Sequence, residues 1–170
     1  MKFVKRILAI FIFAITTSNV FSQDTKFLDS IPTTKDGFVA TEPAVINTID
    51  WLENTPIGQE PDKRKLLYSK FLAWLTNSPT VSIEINSKTA GFTKKNPDLL
   101  FIFMGGWTRY TLQNSYSNDA VKCNVAGIKS AIKVYQMGNG MKKDKDMDKI
   151  IAMDSKNELE AWVNSQLAQK

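Results

Sequence analysis

Apolar positions recur at helical spacing through most of the chain, and one stretch gives up the alternation altogether. Leu99 to Met104 is apolar on every face, which in a water-exposed protein marks a helix surrounded by other helices. Asn96 reads as its N-cap, Pro97 suits the first helical position, and Asp98 suits the positive end of the dipole. A central buried helix is therefore predicted over 97–114. Its interior holds Gly105-Gly106, each worth roughly 1 kcal/mol less than Ala in a helix. That cost predicts either close approach of a neighbour or a bend.

Amphipathic stripes flank this segment. Thr41-Glu42-Pro43 starts a helix whose apolar face is Val45, Ile49 and Leu52, with Ile46 beside them. Gln59-Glu60-Pro61-Asp62 opens a second, with Leu67, Phe71, Trp74 and Leu75 buried and Lys63, Arg64, Lys65 and Lys70 on a solvated face. After a link at Ser115–Asp119, capped by Ser117 or Asn118, the positions Val121, Val125, Ile128, Ile132 and Tyr135 form a regular stripe with Asn124 off it. Gly138-Asn139-Gly140 ends that helix. Met147, Ile150 and Ile151 dock a short charged helix, and Ser155-Lys156-Asn157-Glu158 has the form of a capping box for a last helix with Leu159, Trp162, Val163 and Leu167 inward.

Only Thr80–Ile85 alternates with period two. A lone strand leaves its backbone unpaired, so this segment is expected to pair with Phe38-Val39-Ala40 or to run as an extended connection. The expected fold is a single all-α domain over 41–170. It has five or six mostly antiparallel helices and one short extended segment near 80–86. An extended or partly disordered leader occupies 23–40, where Asp24–Ala40 shows no helical period.

Trp51-Leu52-Glu53-Asn54-Thr55-Pro56 and Trp74-Leu75-Thr76-Asn77-Ser78-Pro79 share the pattern W-L-x-N-[ST]-P. A duplicated unit is one reading. Helix-stop chemistry is the better one, with Asn in the left-handed conformation and Pro barring continuation.

The N-terminus changes the charge picture. Lys2, Lys5 and Arg6 precede an apolar run from Ile7 to Thr16, and Ser22 is a small residue at a cleavage position. The run is short for a membrane span, and a secretory signal over 1–22 is predicted. It contains no Cys for lipid attachment. Three of the 22 basic residues lie there and no acid does, leaving 19 against 17, a net of +2. That balance does not point to nucleic acid. No later run reaches the length of a transmembrane helix, and a periplasmic or extracellular location is expected.

Composition also narrows the chemistry. The chain has no His, which removes Ser-His-Asp and Cys-His catalysis and His-containing metal sites. The single Cys123 forms no intramolecular disulfide and reads as a small buried apolar residue. Asp144–Asp148 resembles half an EF-hand loop, but Lys149 and Ser155 stand where Gly and Glu are needed, so it reads as a solvated helix start. No phosphate-binding or nucleophile motif occurs. Neither a metal nor a cofactor is expected.

Arg109 is the most distinctive single residue. Beyond the signal the chain has only two arginines, Arg64 and Arg109. Arg109 lies in the most apolar helix between Trp107 and Tyr110, a trio able to hold a carboxylate or phosphate ligand. The competing reading is a structural ion pair, the commoner fate of a charge that a fold buries. Three functions remain. The first is a non-catalytic module binding an unknown protein or small molecule near Trp51, Trp74, Trp107 or Trp162. The second is a small enzyme using carboxylates, with Arg109 holding an anionic substrate; Glu42, Asp50, Glu53 and Glu60 cluster in sequence, but helix-start and surface roles account for them without catalysis. The third is an assembly component associating through its helices or the Val81–Ile85 edge.

Overall fold

A computed structural model describes residues 30–168; the signal segment and residues 23–29 of the leader lie outside them. Among the described residues the domain is all-helical, with no strand. Its six helices are α1 (Lys35–Asn54), α2 (Pro61–Asn77), α3 (Asp98–Gln113), α4 (Ala120–Gln136), α5 (Lys145–Ser155) and α6 (Leu159–Ala168), with a 3-10 turn at Gly91–Lys94.

The first helix begins six residues before the expected Thr41 start. Thr34 is the N-cap, its Oγ1 accepting from the Gly37 N–H at 3.2 Å, and Pro43 sits inside the helix. An interior Pro costs about 3 kcal/mol. Phe38, in the extra turns, is buried against Trp74 with ring centroids 5.6 Å apart, and that burial offsets much of the cost. Thr41 has another role: its Oγ1 accepts from the Trp74 indole N–H at 2.9 Å. The leader expected over 23–40 is therefore helical from Lys35 onward.

The central helix is where the apolar run placed it. Leu99, Ile102, Phe103 and Trp107 are buried, and its most extensive partner is α4. The two glycines face different neighbours. A Cβ on Gly105 would lie 3.1 Å from Ile49 Cγ2 on α1, and one on Gly106 would collide with Ser130 Oγ and lie 2.7 Å from the Ala126 carbonyl on α4. Gly127 returns the favour, since a Cβ there would meet the Phe103 carbonyl at 2.6 Å. Close approach, not a bend, explains the pair.

Several caps differ from expectation. Pro97, not Asn96, precedes the first residue of α3. Asn96 is buried and makes a reciprocal pair with the Lys142 backbone, accepting from its N–H at 2.8 Å and donating to its C=O at 3.0 Å. A long-range amide pair here outcompetes a local cap. Asp119, rather than Ser117 or Asn118, caps α4 through Val121 and Lys122. Ser155 ends α5 instead of capping α6, because Asn157 turns the chain with φ of 59°. Asp144 caps α5, as a helix start should.

The repeated W-L-x-N-[ST]-P pattern does stop both helices, at Asn54 and Asn77, but by a different device. Neither Asn is left-handed; each side-chain amide donates to the carbonyl four residues back, Asp50 at 2.7 Å and Ala73 at 2.8 Å. Asn114 does the same to Tyr110 at the end of α3. Thr80–Ile85 runs as an extended connection, burying Val81 and leaving Ile85 exposed. Asn124 is buried, donating to the Ala120 carbonyl and accepting from Thr89 Oγ1, so α4 is covered over more than one stripe.

Arg64 overturns the solvated-face reading. It is 3 % exposed, and its guanidinium donates to the carbonyls of Leu52, Thr55 and Pro56 and to the Tyr68 hydroxyl. The C-terminus of α1 presents unpaired carbonyls at the negative end of its dipole. A planar fork reaches several of them at once, which the ammonium groups of Lys63 and Lys65 cannot do.

Candidate functional site

Three helices converge on Arg109. Asp50 and Glu53, three residues apart on α1, share one helix face. Arg109 Nη1 donates to Asp50 Oδ1 and to Glu53 Oε2, each at 2.8 Å, and its Nη2 donates to Ser130 Oγ on α4 at 3.2 Å. Gly106 permits this meeting, since any side chain there would push Ser130 and α4 away.

The partners differ in burial. The Glu53 side chain is 2 % exposed, Asp50 50 % and Arg109 25 %. Lys133 approaches Glu53 Oε2 at 3.8 Å, a loose contact. Glu53 Oε1 is buried with no hydrogen-bond partner, an unmet acceptor on a charged group that native interiors seldom tolerate. Burial alone would lower the Arg109 pKa, but hydrogen bonds and charge from Glu53 and then Asp50 outweigh it and hold it above the ordinary value.

These residues border an open cleft of about 550 Å³, lined on α1 by Asp50 and Glu53, on α3 by Gly106, Arg109, Tyr110, Gln113 and Asn114, and on α4 by Ala126, Lys129, Ser130 and Lys133. Its volume is within the range of small-molecule sites. Arg109 is thus a paired guanidinium on the wall of an open cleft.

Of the expected trio, Arg109 and Tyr110 line the cleft and Trp107 does not. Trp107 is buried against Phe103, with ring centroids 5.9 Å apart and its indole N–H unpartnered. It borders a separate hollow of about 360 Å³ with Glu84, Asn86 and Asn124. Trp107 and Arg109, two residues apart, are separated by about 160° around a helix, so they face different neighbours. Trp51 and Trp74 are buried, while Trp162 edges a third hollow of about 340 Å³ with Lys94 and Asp146.

Ser130, Lys129 and Lys133 were not singled out in sequence, and Glu53 was read as a surface acid. The signal for Glu53 was its place four residues after Ile49, on the buried face of α1. Glu42 and Glu60, grouped with it in sequence, do not line the cleft. Cys123 is buried, and that burial raises its thiol pKa, opposed in part by a contact to Thr111.

Among the described residues no group of three or more His, Cys, Asp or Glu side chains could hold a metal ion. No helix there is long and apolar enough to cross a membrane. Comparison with protein-family models, curated proteins and solved structures finds no significant match. What fold and cleft define together is a single all-α domain with a mixed-charge recess between its first, third and fourth helices.

Proposed function

We propose that this is an exported, non-catalytic binding module, working in the periplasm or outside the cell and taking a small polar ligand in the Arg109 cleft. Export rests on the basic, apolar and small-residue pattern of residues 1–22. The observation that carries the binding reading is Glu53: a carboxylate 2 % exposed, with one oxygen on Arg109 and the other lacking any donor, bordering an open recess. Unsatisfied buried charge is costly, and a ligand donor is one way to relieve it.

A carboxylate-dependent enzyme is the second reading, favoured by the same meeting of Arg109 with two acids beside open space. It has less support, because a single Nη1 engages both carboxylates and so ties up the groups that would have to act as acid and base.

The test is a thermal-shift screen of small polar compounds spanning acids, amines, amino acids and sugars, run on the wild type and on Lys133→Glu. Lys133 lies on the exposed rim of the cleft, so the variant should fold. Stabilising compounds that lose their effect in the variant support the cleft. Stabilisation untouched by the variant, or none in any class, contradicts it.

A further inference from the structure

We infer that the Arg109 cleft takes a small zwitterion, a ligand carrying both a primary ammonium and a carboxylate. This rests on the cleft being a ligand site and names the class it fits. The charges in the recess are separated by wall. On α1 stand two acids: Asp50, half exposed on the recess, and Glu53, buried behind it with Oε1 lacking a donor. An ammonium in the recess meets the Asp50 carboxylate with the Glu53 charge close behind it.

On α4 stand Lys129 and Lys133, one turn apart, with side chains 59 % and 47 % exposed. Lys129 reaches Asp154 at 3.3 Å and Lys133 reaches Glu53 only at 3.8 Å, so both exposed ammonium groups can turn to a ligand anion. Gln113 and Asn114 line the same recess with neutral amides.

A simple anion entering here meets Asp50 and Glu53, and a simple cation meets the two lysines. Arg109 resolves the conflict only in part, because three of its five N–H donors are already engaged by Asp50, Glu53 and Ser130. A molecule with separated opposite charges satisfies both walls, and like-charge contact excludes its single-charge analogues.

The experiment titrates the ¹⁵N-labelled protein with ω-amino acids from glycine to 6-aminohexanoate, against matched n-alkylamines and n-alkanoates. Saturable shifts at the Gly106, Ser130 and Tyr110 amides are expected for at least one amino acid. Its matched amine and alkanoate should bind roughly tenfold or more weakly, the worth of one charge-assisted hydrogen bond. Asp50→Asn and Lys133→Met, both at accessible positions, should each weaken the amino acid toward its single-charge analogue. An amine or alkanoate that binds as well as the amino acid overturns the inference. So does a series with no binder, and the broader screen then separates the causes. A cleft binder of another class leaves the cleft standing as a site, and none of any class removes that reading too.

Discussion

Arg109 and Glu53 meet at 2.8 Å although 56 residues separate them in the chain. One side chain is almost wholly buried and the other is a quarter exposed. The pair joins α3 to α1 at the edge of the recess, so its energetics can be read separately from any ligand. Removing one partner of a buried pair strands the other's charge. Arg109→Met should destabilise the protein by roughly 2–4 kcal/mol in urea unfolding, toward the lower end because the guanidinium is partly solvated. Arg109→Met with Glu53→Leu should recover most of that loss. A single-variant loss below about 0.5 kcal/mol would mean that the pair carries no structural weight.

The two central glycines should respond unequally to a methyl group. Gly106→Ala places Cβ against Ser130 Oγ and the Ala126 backbone. Overpacking of that kind costs about 1–3 kcal/mol. Gly105→Ala meets only the Ile49 side chain, which can shift, and Gly91→Ala meets nothing within 4 Å. Thermal unfolding should order the variants with Gly106→Ala lowest. Equal midpoints for Gly105→Ala and Gly106→Ala would contradict the helix contact described.

Arg64 should resist conservative replacement. Its fork spans three carbonyls and a hydroxyl at the end of α1. A lysine there offers one ammonium and leaves carbonyls unpaired. Arg64→Lys should cost about 1–3 kcal/mol in urea unfolding, while Lys65→Arg on the exposed side should be neutral within about 0.5 kcal/mol. Equal effects would return Arg64 to the solvated face.

How much of this was legible in the sequence differs by element. The buried α3 and the α4 stripe follow from local pattern, since apolar period is a property of neighbours in the chain; glycine cost showed that Gly105-Gly106 needs a reason, but the choice of close approach over a bend rests on Ile49, Ala126 and Ser130. Arg64 was hidden between Lys63 and Lys65, because its burial depends on carbonyls at Leu52, Thr55 and Pro56 that only the α1–α2 turn brings near. The early start of α1 was hidden by Pro43, whose local cost Phe38 packing on Trp74 largely offsets. Arg109 stood out by rarity. Its partners could not be read with it, because Asp50 and Glu53 lie 59 and 56 residues away, and spacing in one sequence says nothing of such pairs. Trp107, close in sequence, was the wrong companion for a helical reason: two residues from Arg109, it lies about 160° around the helix from it.

Tyr68 gives the fold a dependence on alkaline pH. Burial pushes its phenol up to about 12 from 10.0, against the opposing hydrogen bond from Arg64. The folded state holds the proton more tightly than the unfolded chain. The stability this contributes is therefore fully present below pH 10 and is lost as pH rises from about 10 to about 12, at roughly 1.4 kcal/mol per unit. Urea midpoints measured across that window should fall, and Tyr68→Phe should fall less steeply. Parallel slopes for the two proteins would show that other groups carry the effect.

The most direct measurement of the central claim is where a bound ligand sits. Amide shifts of the ¹⁵N-labelled protein should be mapped for the strongest compound from the thermal-shift screen. The account predicts saturable shifts centred on Gly106, Tyr110, Ala126 and Ser130, with the Trp162 hollow unmoved. Shifts centred on Lys94, Asp146 and Trp162, with the Arg109 cleft silent, would contradict it.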